Sequence, residues 1–146
     1  MIKLGTPDNI NSLVILGEEW AAELEIPEFD SDRWLSSVRM YSILSDHYCS
    51  VFYDNLNKPQ GFVMGCFSLL PHTISGIGQL HYIYLRPNFL SDDNLYELHS
   101  SFVTWLQDFK PSRILAPDVY DIPDTYQSFL ENIGYEPGYT TQFKGM

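Results

Sequence analysis

Residues 78 to 109 read GQLHYIYLRPNFLSDDNLYELHSSFVTWLQDF, and their order decides the architecture. Aromatic and β-branched residues crowd between Gly78 and Pro87, a composition that suits a central strand. Ser91 then caps a helix that carries Leu95, Leu98, Phe102, Trp105, Leu106 and Phe109 on one face. Beyond it, residues 112 to 116 (SRILA) form a short strand. A strand, a helix and a strand in succession make a crossover connection, which places the two strands parallel in one sheet. The strand around Tyr82 to Leu85 and the strand around Ile114 are therefore expected to run side by side and to diverge at their C-terminal ends.

Upstream, a short strand at Ile2 to Leu4 leads to Thr6-Pro7-Asp8, which reads as a helix start with Thr6 as N-cap. Ile10, Leu13, Val14, Trp20, Ala21 and Leu24 follow at near-helical spacing, and the helix stops before Pro27. Asp30-Ser31-Asp32 opens a second helix with Trp34, Leu35, Val38 and Tyr41 on one side. From Tyr48 the pattern turns to β, with YCSVFYD, a polar turn at residues 55 to 59 and QGFVMGCFSLL reading as a hairpin. Downstream, Pro123 to Asn132 is a helix with Tyr126, Phe129, Leu130 and Ile133 facing inward and Gly134 just past its end. Tyr135 to Lys144 closes the chain as a strand or hairpin broken at Pro137-Gly138.

The predicted order is β-α-α-β-β-β-α-β-α-β, an α/β mixed sheet with helices on both faces. The 146 residues suit one domain spanning 1–146. Hydrophobic residues at 45% and aromatics at 15% fill its core without disulfides. Cys49 and Cys66 sit in apolar runs and read as buried free thiols. The four His, at 47, 72, 81 and 99, lack metal-ligand spacing, so no metal is expected. The net charge of −11 opposes nucleic-acid binding. No apolar run is long enough to span a membrane, and the N-terminus lacks a signal-peptide pattern. A soluble, cytoplasmic protein is expected.

Two segments carry a family resemblance. LHYIYLRPNF, residues 80 to 89, is similar to the fourth strand of the GCN5-related N-acetyltransferases (GNAT), and SFLENIGY, residues 128 to 135, resembles the end of that family's last helix. The resemblance implies a GNAT-like fold and, as activity, transfer of an acetyl group from acetyl-CoA to an amine. It implies that backbone groups of Ile83, Tyr84 and Leu85 hold the cofactor's pantetheine and thioester. A base then takes the amine proton and an acid, often a tyrosine, protonates the leaving thiolate. His81, on the central strand, is the candidate base. Leu130 stands where the family's tyrosine would be, and Tyr126, one turn earlier on the same helix face, is the candidate acid. Regular alternation along the strand puts His81, Ile83 and Leu85 on one face.

The sequence departs from the family at the phosphate cradle. Where the family has a basic residue and two glycines, this chain has Leu90-Ser91-Asp92-Asp93-Asn94-Leu95. A helix N-terminus favours an anion by about 0.3–1 kcal/mol, whereas a carboxylate about 5 Å from a phosphate charge repels it by about 1–3 kcal/mol. Asp92 and Asp93 thus read as the helix's own N-terminal anions.

Glu18, Glu19, Glu23, Glu25, Glu28, Asp30 and Asp32 cluster where the first helix ends and the second begins. The cluster is either a solvated acidic surface or an attractor for a basic amine. Three functions follow as alternatives. One is an N-acetyltransferase acting on a small amine or a basic peptide, with acetyl-CoA as donor. Another is a non-catalytic GNAT-fold component that works through a protein partner. The third is a binder of some other small molecule in the cleft between the diverging strands.

Overall fold

The computed structural model describes the whole chain except residues 7, 70, 73–74, 117–122, 136–139 and 143–146, and of residues 140–142 the backbone alone. Ten main elements follow one another: β1 (Ile2–Leu4), α1 (Ile10–Glu23), α2 (Ser31–Ile43), β2 (His47–Tyr53), β3 (Pro59–Leu69), β4 (Gly76–Leu85), α3 (Asp92–Leu106), β5 (Arg113–Leu115), α4 (Asp124–Asn132) and β6 (Thr140–Gln142). The strands form one sheet in chain order. Every pairing is antiparallel except β4 with β5, which is parallel through Ile77↔Arg113, Gly78↔Ile114 and Gln79↔Leu115. The crossover expected from residues 78 to 116 is therefore present.

Strand alternation sorts the core into two layers. Leu13 and Leu16 of α1 and Trp34, Val38 and Tyr41 of α2 pack on Cys49, Val51, Phe62, Met64 and Tyr84. On the other face, Leu95, Leu98, Phe102 and Leu106 of α3 and Tyr126, Phe129 and Leu130 of α4 cover Val63, Leu80, Leu85 and Ile114. The helix α3 lies close to the sheet because Gly78 leaves room: a Cβ there would stand 2.5 Å from a Leu106 methyl. Both cysteines are buried and free.

Several local expectations need correction. The first helix begins at Ile10, and its N-cap is Asn9, not Thr6. The Asn9 side chain folds back instead, accepting from the Thr6 N–H at 2.7 Å and donating to the Leu4 carbonyl at 2.8 Å. That local turn competes with the helix and delays it. Trp105, expected in the core, is only half-buried on the rim, where its ring meets Tyr48, Phe102 and Phe109. Its place on the buried face of α3 is taken by His99 and Val103. The expected Pro7 helix start and the break at Pro137-Gly138 lie outside the described residues.

Two caps form as expected. The Asp30 side chain accepts from Arg33 N–H at 3.0 Å, and Ser91 Oγ accepts from Asn94 N–H at 3.2 Å. Gly134 follows α4 with φ of 110°, a left-handed conformation that glycine adopts without a Cβ penalty.

Candidate functional site

Among the described residues the parallel ladder between β4 and β5 extends as far as Gln79 and Leu115. From Leu80 to Leu85, β4 has no strand partner on that side among the described residues, and a cavity of about 370 Å³ lies along it. Its walls come from α1 (Trp20 and Glu23), α2 (Tyr41), β4 (residues 80 to 84) and α4 (Tyr126 and Leu130). The lining is aromatic and aliphatic with a few polar groups, the usual make-up of a small-molecule site.

The strand β4 supplies this wall through an irregularity. Met64 pairs with Tyr82 but the next residue, Gly65, pairs with Leu80, leaving His81 as an extra residue in the ladder. This is a β-bulge, and it reverses the alternation. Leu80 belongs to the α3 layer, whereas Tyr82 and Tyr84 pack in the α1–α2 layer and Ile83 and Leu85 return to the α3–α4 layer. His81 is thus not on the face of Ile83 and Leu85, as regular alternation requires. It projects toward α2, where its Nδ1 is hydrogen-bonded to the Tyr41 hydroxyl. Its Nε2 lies 3.3 Å from Gln79 Oε1 and 3.8 Å from Cys66 Sγ. Burial, with His47 nearby, lowers its pKa below the usual histidine value, so the ring is neutral near pH 7. Both nitrogens have protein partners, and a base role requires one of them to be given up.

Tyr126 lies across the open edge of β4. Its hydroxyl accepts from the Leu85 N–H at 3.0 Å and donates to the Leu85 carbonyl at 3.3 Å. Burial pushes its pKa up to about 12, which makes it a weaker acid than an ordinary tyrosine. Of the three backbone positions expected to hold a cofactor, Leu85 is therefore engaged by this phenol. The Arg86 N–H donates to Gln60 on β3 at 2.8 Å. Alternation then turns Tyr84's backbone groups toward β3 as well, and leaves those of Ile83 on the cleft side.

Two residues of the acidic cluster reach the site. Glu23, the last residue of α1, accepts from the Tyr84 hydroxyl at 2.9 Å. Burial, followed by this carboxylate, holds the Tyr84 phenol well above its usual pKa. Glu19 grips Arg86 at two points, Nε–Oε2 2.8 Å and Nη2–Oε1 2.8 Å, and so ties α1 to the end of β4. The cluster marked these residues by charge alone, whereas Tyr41 read only as a helix-face aromatic and Tyr84 only as a backbone position for the cofactor. Among the described residues no group of three or more His, Cys, Asp or Glu is placed to hold a metal, and no helix is long and apolar enough to cross a membrane.

A mixed sheet with one parallel pair and a cavity beside the longer of its two strands has structural counterparts. A probable acetyltransferase matches with a TM-score of 0.78 at 12% identity, covering 93% of this chain and 89% of the other. A predicted acetyltransferase from Clostridium acetobutylicum, solved with acetyl-CoA, gives the same four values. An aminoglycoside N-acetyltransferase in complex with CoA matches with a TM-score of 0.75 at 13% identity, over 93% and 87% of the two chains. This chain has the GNAT fold. No protein-family model and no curated protein matches the sequence.

GNAT neighbours solved with CoA raise the question of whether these residues suit that cofactor. At the phosphate end they do not. The N-terminus of α3 carries Asp92 and Asp93 in its first turn, and the Asn94 N–H is taken by Ser91. The nearby cation Arg86 is bound to Glu19. Along β4, the Leu85 backbone is already paired with Tyr126. The α1–α2 side of the cleft, in contrast, has a carboxylate and aromatic walls.

Proposed function

We propose that this chain binds an organic amine, either a small molecule or the amino end of a basic peptide, in the β4–β5 cleft, and that it acts as a GNAT-fold binding protein without acyl transfer. The carrying observation is Glu23, whose carboxylate stands at the cavity wall beside Tyr84, with Trp20, Tyr41 and Tyr82 around the same space. A carboxylate supplies a charge-assisted hydrogen bond to an ammonium group. Aromatic rings add an attraction that desolvation strengthens. The neighbours lend support on the amine side, since one is an aminoglycoside acetyltransferase solved with sisomicin. Calorimetric titration with a series of polyamines and aminoglycosides tests the reading. Saturable binding by the native chain should weaken tenfold or more in Glu23→Gln, and a complete absence of amine binding would count against it.

A second reading, N-acetyl transfer from acetyl-CoA to that amine, is favoured by the cavity beside β4 past its parallel pairs with β5 and by the likeness to a protein solved with acetyl-CoA. In it His81 would receive the amine proton. Release of free CoA thiol from acetyl-CoA, dependent on added amine and on His81, would establish it over the binding-only reading.

A further inference from the structure

The bonds between Tyr126 and Leu85 bear on what the cleft excludes. A strand edge without a neighbour presents N–H and C=O groups that an extended amide-bearing chain can pair with, adding itself as one more strand. Among the described residues β4 has such an edge from Leu80 onward, since its strand partners on that side end at the Gln79↔Leu115 pair and a cavity lies beside residues 80 to 84. At the end of that edge the two groups of Leu85 are already satisfied, both by one phenol oxygen from α4. The phenol is no loose lid. Tyr126 is 7% exposed and belongs to the same packed layer as Leu85, Phe129 and Leu130.

We infer that Tyr126 is a specificity-determining residue that closes the β4 edge at Leu85, so that the cleft rejects acetyl-CoA and any other ligand that must lie along the strand through that position as an extended amide chain. The restriction is steric as well as electrostatic. A ligand carbonyl that took the Leu85 N–H would need the position of the Tyr126 oxygen, with the ring immediately behind it. A buried N–H and C=O must also keep partners, so displacing the phenol without replacing both bonds is costly. Asp92 and Asp93 act at a separate place, the start of α3, and discriminate only against phosphates. Pantetheine carries the amides of acetyl-CoA without its nucleotide, and so isolates the effect of Tyr126. The inference stands whether or not the cleft takes an amine.

The test titrates pantetheine and acetyl-CoA into the native chain, Asp92→Gly/Asp93→Gly, and Tyr126→Ala, with circular dichroism as the check on folding. The native chain and the aspartate variant should show no pantetheine binding, and Tyr126→Ala should gain at least tenfold. Low-micromolar binding of either compound by the native chain overturns the inference, and so does a folded Tyr126→Ala that gains nothing. Should Tyr126→Ala fail to fold, hydrogen exchange on Tyr126→Phe decides the matter. The Leu85 amide should exchange at least tenfold faster than in the native chain, and an unchanged rate refutes the closure.

Discussion

The hydroxyl of Tyr135 and the Nε2 of His99 stand 2.8 Å apart, a hydrogen bond inside the core that joins α3 to the residue following Gly134. Burial lowers the His99 pKa from 6.5 to about 4. Above the higher value both folded and unfolded chains keep the ring neutral. Between the two values the unfolded chain takes up a proton that the native core refuses, so stability falls as pH falls. The slope approaches about 1.4 kcal/mol per pH unit, or about 3 kcal/mol over the whole window. His81, also shifted downward by burial, adds loss of the same sign. Urea melts at stepped pH should display this decline, and His99→Gln should flatten it. A native chain equally stable at both ends of the window would show that the ring is not buried as described.

The contrast between Phe102 and Trp105 tests the register of α3. Phe102 is fully buried under the sheet, whereas Trp105 lies on the rim. Phe102→Ala should cost about 3–5 kcal/mol. Trp105→Ala should cost about half as much, since part of its ring stays in water and its loss leaves no closed cavity. Equal costs in denaturant melts would contradict this placement.

At the start of the same helix, Ser91→Ala should lose about 1 kcal/mol through the missing cap. Replacing Asp92 and Asp93 by Asn should lose about 0.3–1 kcal/mol for each charge, and this loss should shrink as salt is added. Thermal melts at two ionic strengths separate the two effects.

Gly17 faces Trp34 where α1 crosses α2, and a Cβ at that position would stand 2.1 Å from the indole. Helix propensity alone would make Gly17→Ala favourable by about 1 kcal/mol. The indole cannot easily retreat, because it donates to the Leu13 carbonyl at 3.2 Å and lies within a ring cluster with Trp20, Phe62 and Tyr82. Overpacking should prevail, with a net loss of about 1–3 kcal/mol. A stabilised variant would mean that the two helices have room to separate.

The succession of elements was legible because it rests on periodicity and on punctuation. Ser91, Asp30 and Gly134 marked helix ends that the structure confirms, and the parallel pair followed from the helix between its strands. The site was much less legible. An extra residue in a strand leaves no trace in hydrophobic pattern, so the side taken by His81 was misread. Glu23 stood out as one of seven acids, yet only folding brings it to Tyr84, 61 positions away. Tyr126 was visible as a buried phenol, but its bonds to a backbone 41 residues distant were not.

The bulge at His81 makes β4 a strand with two allegiances. Its first half is locked between two neighbours and serves the α3 layer, and its second half, offset by one residue, faces the opening with the other set of side chains. Deleting His81 would therefore close the ladder into regular alternation: Leu80 would adjoin Tyr82, Tyr82 and Tyr84 would keep the side of Glu23, and Ile83 and Leu85 would stay under α3 and α4. The cleft would lose only the imidazole that reaches Tyr41. Forcing regular alternation on the strand with His81 retained is what would exchange the two faces. For this fold the unpaired position is thus a place where a side chain is added to the wall without moving its neighbours.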